Sequence, residues 1–286
     1  MAAIATNDNK LKIMSLKDIQ QVSLDILKDV HQFCVDNHIC YTLFGGTMIG
    51  AIRHKGFIPW DDDIDIAMPR PDYERFLEIY QSKKGYRLFA SGTKGNYLAF
   101  SRVCEMEHTL VVNSVFPWSN TPTGVWIDIF PLDGAEDDID MAQCQFIQLR
   151  KMWKKCSYAR AAKAKLSSAK GLQKKTKLIL KRLLFSFPWQ NHDILLRKYI
   201  NMCQRIKWGE SKHFGNLSYM RYGIKEYEDM EDFTTTILVD FEDSKFMVCN
   251  GYDRMMKCKY GDYMQLPPID KQCSNHHLCY YYWKIE

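Results

Sequence analysis

Four carboxylates fall within five residues in PWDDDIDIAMPR, at Asp61, Asp62, Asp63 and Asp65, and the last of them stands inside a hydrophobic run. Like charges this close repel, so any fold that accepts the segment must solvate them or neutralise them with a cation. In a strand, residues two apart share a face, so Asp63 and Asp65 project together while Ile64 and Ile66 enter the core on the other side. WIDIF (126–130) repeats the pattern with one acid, Asp128, between Ile127 and Ile129. If that strand lies beside the first, three carboxylates meet. Such oxygen donors suit Mg²⁺ or Mn²⁺, hard ions that keep part of their water and are shared with substrate phosphates.

A second feature precedes the acids. CYTLF (40–44) reads as a strand, Gly45-Gly46 as a tight turn, and TMIGAIR as the start of a helix. A backbone without Cβ lets a phosphate approach closely, and the helix behind it offers free N–H groups at its positive end. Either feature alone has an ordinary reading: a Gly-Gly pair is usually only a turn, and an acidic run only a solvated loop. The order of glycine pair, acid pair in one strand and single acid in another is what carries specificity. A calcium loop starting at Asp61 fails at Ile66, where glycine is needed, and at Asp72, where a glutamate is expected. A DxD of a sugar-nucleotide glycosyltransferase stays open on spacing alone.

Around these motifs the pattern is mixed. Ser15 caps an amphipathic helix over 16–36, with Asp18 at its third position. Pro71 opens a helix after IDIAM (64–68), and strands are expected at 86–90, 96–103, 108–112 and 124–130. Intermixed helices and strands predict an α/β (α+β mixed sheet) core. The expected organisation is a flexible N-terminus (1–14), a catalytic core (15–137), a basic helical segment (138–210) interrupted near Gly171 and Pro188, and C-terminal strands and a helix (211–286) that complete the core.

No secretory signal or run of about 20 apolar residues is visible, which predicts a soluble, cytoplasmic protein. The ten cysteines are scattered, which favours reduced thiols over a disulfide scaffold. Cys249, Cys258, Cys273, His276, His277 and Cys279 form a loose set, but no CxxC pair supports zinc. The net charge of +5 is uneven: 13 Lys/Arg and no acid lie between Arg150 and Arg182, leaving 26 basic against 34 acidic residues elsewhere. In that arm Lys170, Lys174, Lys177 and Lys181 recur at helical spacing, opposite Leu172, Ile179 and Leu183, with Phe185, Phe187 and Trp189 close behind. Two readings are open, a helix lying on an anionic membrane surface and a solvated helix covering the core with its apolar side. Nucleic acid is not expected, because aromatics do not interleave with the basic residues and the body is acidic.

FGGTMIGAIRHKGFIPWDDDIDIAMPRPDYERF (44–76) closely resembles the signature of the LicD family, whose bacterial members attach phosphocholine to cell-surface polysaccharides and whose animal relatives include fukutin and fukutin-related protein. The likeness continues through WIDIFPLDG (126–134), FEDSKFMV (241–248), YGDYMQLPP (260–268) and His276-His277. It implies a nucleotidyltransferase-like core and divalent-metal-dependent transfer of a substituted phosphate from a CDP-linked donor such as CDP-choline to a sugar hydroxyl, releasing CMP. Asp63, Asp65 and Asp128 match the catalytic and metal-binding acids, and Gly45, Gly46 and the adjoining Thr47 the substrate-binding turn. Arg53, His54 and Lys55 would neutralise donor phosphates, unless they only favour a helix dipole. Arg102 reads equally as a phosphate clamp or an ion pair, and His276 and His277 as packing or substrate contacts. The acceptor implied is a lipid-linked glycan, with peripheral membrane association. The alternatives are a nucleotidyltransferase that releases pyrophosphate and a non-catalytic nucleotide- or glycan-binding protein. The donor head group (choline, ethanolamine or polyol) is not legible, although an aromatic cage would favour choline.

Overall fold

The computed structural model describes residues 10–93, 96–113, 124–163, 171–273 and 279–285. It is a mixed α/β fold. Its central sheet runs β2 (Thr42–Leu43), β3 (Asp65–Pro69), β7 (Trp126–Ala135), β5 (Ser101–Cys104), β4 (Arg87–Phe89). The β3–β7 pair is parallel and its neighbours on both sides are antiparallel. The far half of β7 pairs with β8 (His213–Gly215), which pairs with β9 (Tyr227–Asp229).

Helix α1 (Leu16–Asp36) starts in a capping box: the Ser15 hydroxyl accepts from the Asp18 N–H at 3.2 Å, and the Asp18 carboxylate accepts from the Ser15 N–H at 2.8 Å. Its inward stripe of Ile19, Val22, Ile26, Leu27 and Val30 is buried in the main core together with Ile64, Ile66, Ile127 and Ile129. Helix α3 (Arg70–Ile79) leaves β3 with a proline in its first turn. There Arg70 grips Asp133 of β7 through two 2.7 Å contacts, a buried bidentate pair that ties the helix start to the sheet. A second apolar cluster, with Phe146, Leu149, Leu195, Leu196 and Tyr199 at its centre, joins α4 (Ile139–Ala162) to α6 (His192–Cys203). The hairpin β10 (Thr236–Phe241) and β11 (Ser244–Cys249), then α7 (Tyr252–Tyr260), bring Phe241, Phe246, Val248 and Met255 to the main core.

Two expectations change. Leu11–Ile13, read within a flexible N-terminus, form β1, which pairs with β12 (Cys279–Lys284), itself paired with β6 (Thr109–Asn113); the backbone ladder orders a segment whose side chains show no pattern. The strand expected over 96–103 begins only at Ser101. The Asn96 amide donates to the carbonyls of Phe89 and Phe100 and accepts from the Leu98 N–H, closing a local turn in place of a ladder.

Candidate active site

Asp65 on β3 and Asp128 on β7 are direct register partners, and Arg102 on β5 is the partner of Asp128 on its other side. Register partners project to the same face, so the three side chains form one row across three strands. The opposite face carries Ile64, Ile66, Ile127 and Ile129, all fully buried. This is the expected meeting of the two acid-bearing strands. The Arg102 guanidinium donates to Asp128 at 2.6 and 3.4 Å and lies 4.3 Å from the Trp126 ring centre. Of its two sequence readings the structure gives the ion pair.

The glycine turn sits on this row. The Phe44 N–H donates to the Asp65 carbonyl at 2.9 Å, and the Asp65 N–H donates to the Thr47 hydroxyl at 2.8 Å, so α2 (Gly45–Ile49) is laced to the first residue of β3. Gly45 has φ +55°, and a Cβ there would lie 2.8 Å from the Asp65 Oδ2; one at Gly46 would lie 2.7 Å from the Asp61 Oδ2. The glycines therefore make room for two carboxylates, a role the sequence reading, which gave them only to phosphate, did not contain. Thr47 acts on Asp65 through the backbone; its hydroxyl is taken up in placing the strand.

Asp61, Asp63 and Asp65 all line a pocket of about 240 Å³, together with Gly45 and Gly46. Oxygens of Asp61, Asp62 and Asp63 lie within 4.8 Å of one another. Burial first, then the charges of Asp63, Asp128 and Asp61, push the Asp65 carboxyl well above its usual range, while Arg102 acts in the opposite sense. Carboxylate oxygens alone fit a hard divalent ion, which would relieve their mutual repulsion when shared; among the described residues those of Asp61, Asp62 and Asp63 are gathered most closely. Relative to the expected set of Asp63, Asp65 and Asp128, Asp61 joins at the pocket, while Asp128 is not among the residues lining it and stands in the row beside Asp65, paired with Arg102.

The basic residues after the turn are placed elsewhere. Arg53 donates to the carbonyls of Tyr263 (2.6 Å) and Gln265 (3.2 Å) and to His54 Nε2 (2.9 Å). Burial, then Arg53, hold the His54 imidazole below its usual value, in keeping with its accepting role. Lys55 is exposed with φ +59°, and its carbonyl accepts from the Glu242 N–H at 2.8 Å. The three close a backbone junction with the 242 and 263–265 segments and are not among the residues lining the pocket. His276 and His277 lie outside the described residues.

The pocket also contains residues that the sequence reading missed: Trp60, Tyr219, Tyr222, Glu226, Lys259 and Tyr260. NLSYMRYGIKE (216–226) has no helical or strand period and no motif, so only the fold brings it here; Trp60 and Tyr260 stood in stretches, 44–76 and YGDYMQLPP, that carried the resemblance.

Carboxylates from adjacent strands, beside a glycine-started helix and a pocket, define a mixed α/β protein with an acidic site at one end of its central sheet. Residues 38–164 match the family described as LicD/FKTN/FKRP, nucleotidyltransferase domain. Across 93% of this chain and 97% of the relative, the sequence is 32% identical to the lipopolysaccharide cholinephosphotransferase LicD of Haemophilus influenzae. Shorter stretches resemble uncharacterized proteins of Rickettsia typhi (35% identity over 88 residues, 30% of this chain and 28% of that protein) and Rickettsia prowazekii (36% over 77 residues, 27% and 29%). The chain belongs to the LicD family, and it is a transferase of phosphorus-containing groups.

Proposed function

We propose that this chain transfers phosphocholine from CDP-choline, or a close CDP-linked donor, to a sugar hydroxyl of a lipopolysaccharide-type glycan and releases CMP. The observation that carries the reading is the side-by-side register of Asp128 and Asp65, the latter lying against the glycine turn; the cholinephosphotransferase name of the Haemophilus relative supplies the group transferred. The acceptor oxygen bonds to the choline-bearing phosphorus, the bond from that phosphorus to the bridging oxygen breaks, CMP keeps that oxygen, and the hydroxyl proton passes to Asp128. Arg102 holds Asp128 in place for this. Asp63, Asp65 and Asp128, with Asp61 adjoining, are the residues that would hold Mg²⁺ or Mn²⁺, which would neutralise diphosphate charge and favour an in-line displacement. Gly45 and Gly46 line the pocket and make room for the Asp65 and Asp61 carboxylates beside the place where the diphosphate would sit.

A lipid-linked acceptor on the cytoplasmic membrane face suits the basic arm. Helix α5 (Leu172–Leu184) buries only Leu178 among its residues, while Leu172, Ile179, Leu180, Leu183 and Leu184 are exposed, as are Phe187 and Trp189 beyond it. Its exposed apolar residues between lysines support a helix lying in a headgroup layer. No helix among the described residues is long and apolar enough to cross a membrane.

The test is incubation of the purified protein with CDP-choline, Mg²⁺ and lipopolysaccharide glycans lacking phosphocholine, with nucleotide products identified. CMP with a phosphocholine-bearing glycan supports the proposal; pyrophosphate, or turnover unchanged in Asp63→Asn, Asp65→Asn and Asp128→Asn, rejects it.

A further inference from the structure

Away from the aspartates, the pocket is lined by three tyrosine rings and a buried acid. Tyr219 comes from the loop after β8, Tyr222 from the same loop, and Tyr260 from the last residue of α7; Tyr222 and Tyr260 meet edge to face at 5.1 Å. Glu226 lines the same pocket and is 2% exposed. Its carboxylate accepts from the Tyr222 N–H at 2.8 Å, and among the described residues no lysine or arginine forms an ion pair with it. The nearby Lys259 ammonium, also buried, goes to Glu228 at 3.0 Å. Two buried carboxylates thus face one buried ammonium. Arg221 and Lys271, both exposed, line the pocket as well, where they suit phosphate oxygens.

We infer that Tyr219, Tyr222, Tyr260 and Glu226 form a subsite for a quaternary ammonium group, which makes them the residues that set the donor head group; the inference rests on the CDP-linked donor proposed above. Ring faces attract a cation that cannot donate hydrogen bonds, and a buried carboxylate short of a counter-ion supplies the charge. A primary ammonium would be left with N–H groups against ring faces. Asp65, Tyr219, Tyr260 and Glu226 line one and the same pocket, so Asp65 and the rings are open to a single ligand. A choline phosphate with its phosphorus at the aspartates would place its nitrogen among them.

The probes are phosphocholine and its neutral carbon isostere, 3,3-dimethylbutyl phosphate, bound to the full chain in a calorimeter, a measurement that needs no turnover. Wild type is expected to bind phosphocholine about thirtyfold more tightly than the isostere. Glu226→Gln and Tyr260→Leu should each shrink that ratio about tenfold, while Tyr260→Phe keeps it. Isostere affinity equal to wild type shows that each variant is folded. Equal affinity of wild type for the two probes, tighter binding of phosphoethanolamine, or a ratio untouched in Glu226→Gln overturns the subsite. Preference for phosphocholine without CMP release from CDP-choline would instead keep the subsite and reject the proposed donor.

Discussion

Replacing Gly45 with alanine separates the two demands on that residue. Its φ of +55° is left-handed, which costs an L-residue about 1–2 kcal/mol. The new Cβ would also meet the Asp65 Oδ2 at 2.8 Å, so the carboxylate must retreat by about 0.6 Å to reach the 3.4 Å of ordinary contact. Asp65 starts a buried strand beside Asp128 and is pinned through its N–H to Thr47, so the movement falls on the carboxylate itself. Misplacement of a reacting group by about 1 Å costs roughly a hundredfold, so a retreat of about 0.6 Å is expected to lower kcat/KM for CMP release about tenfold to thirtyfold in Gly45→Ala. Gly85 is the control: its φ is +78° and a Cβ there meets nothing within 4 Å. Gly85→Ala should lose a similar 1–2 kcal/mol, seen in both variants as a Tm lower by roughly 2–8 °C, yet keep full activity. Wild-type turnover in Gly45→Ala, or an equal loss of turnover in Gly85→Ala, would refute the argument.

Asp63→Asn, Asp65→Asn and Asp128→Asn should each lower CMP release at least a hundredfold, and EDTA should abolish it until Mg²⁺ or Mn²⁺ is restored; full activity in EDTA would dismiss the metal. Burial lifts the Glu226 carboxyl from 4.5 to about 7, so the fold prefers it neutral: the stability it contributes is complete below pH 4.5 and lost as pH rises through 7. Thermal melts should accordingly show Glu226→Gln more stable than wild type at pH 8, with the difference gone near pH 4. Bound cation favours the ionised form, so phosphocholine affinity measured by calorimetry should weaken as pH falls below about 7. Cosedimentation with anionic vesicles should drop sharply when Lys174, Lys177 and Lys181 become glutamate, and wild type should leave neutral vesicles in the supernatant. Asp133→Ala strands Arg70 in the interior and should cost about 3–5 kcal/mol by urea unfolding, with Arg70→Met restoring much of it in the double variant.

The acid row was legible because strands have a period of two. IDI and IDIF each bury isoleucines on one face, so each had to turn its aspartate to the other, and the β3–β7 register joined them. The glycine pair was legible as a turn, but its reason was not: the atoms it makes room for belong to Asp61 and Asp65, 15 or more residues onward. Arg53, His54 and Lys55 are placed differently from expectation. Their charge suggested phosphate, whereas the backbone carbonyls of Tyr263 and Gln265 hold Arg53, and those are invisible in side-chain chemistry. Tyr219 and Tyr222 could not be read at all, since a loop without period carries no signal of what it faces. For α5 the sequence supplied the apolar stripe but not its direction, which depends on whether a neighbouring surface exists to receive it; the structure leaves Leu178 alone facing inward.

Stability and function pull apart most clearly in the row Asp65–Asp128–Arg102. Arg102 and Asp128 satisfy one another, and Trp126 covers the guanidinium at 4.3 Å. Asp65, next in the row, is pushed toward its neutral form by burial and by three acids. A fold selected for stability alone would place an asparagine at 65 and lose nothing in the strand. Asp65→Asn is therefore expected to raise the Tm of the metal-free protein while abolishing turnover, and added Mg²⁺ should raise the Tm of wild type but not of the variant. A variant no more stable than wild type without metal, or one that Mg²⁺ stabilises equally, would mean that Asp65 is not where the protein stores repulsion for a cation to release.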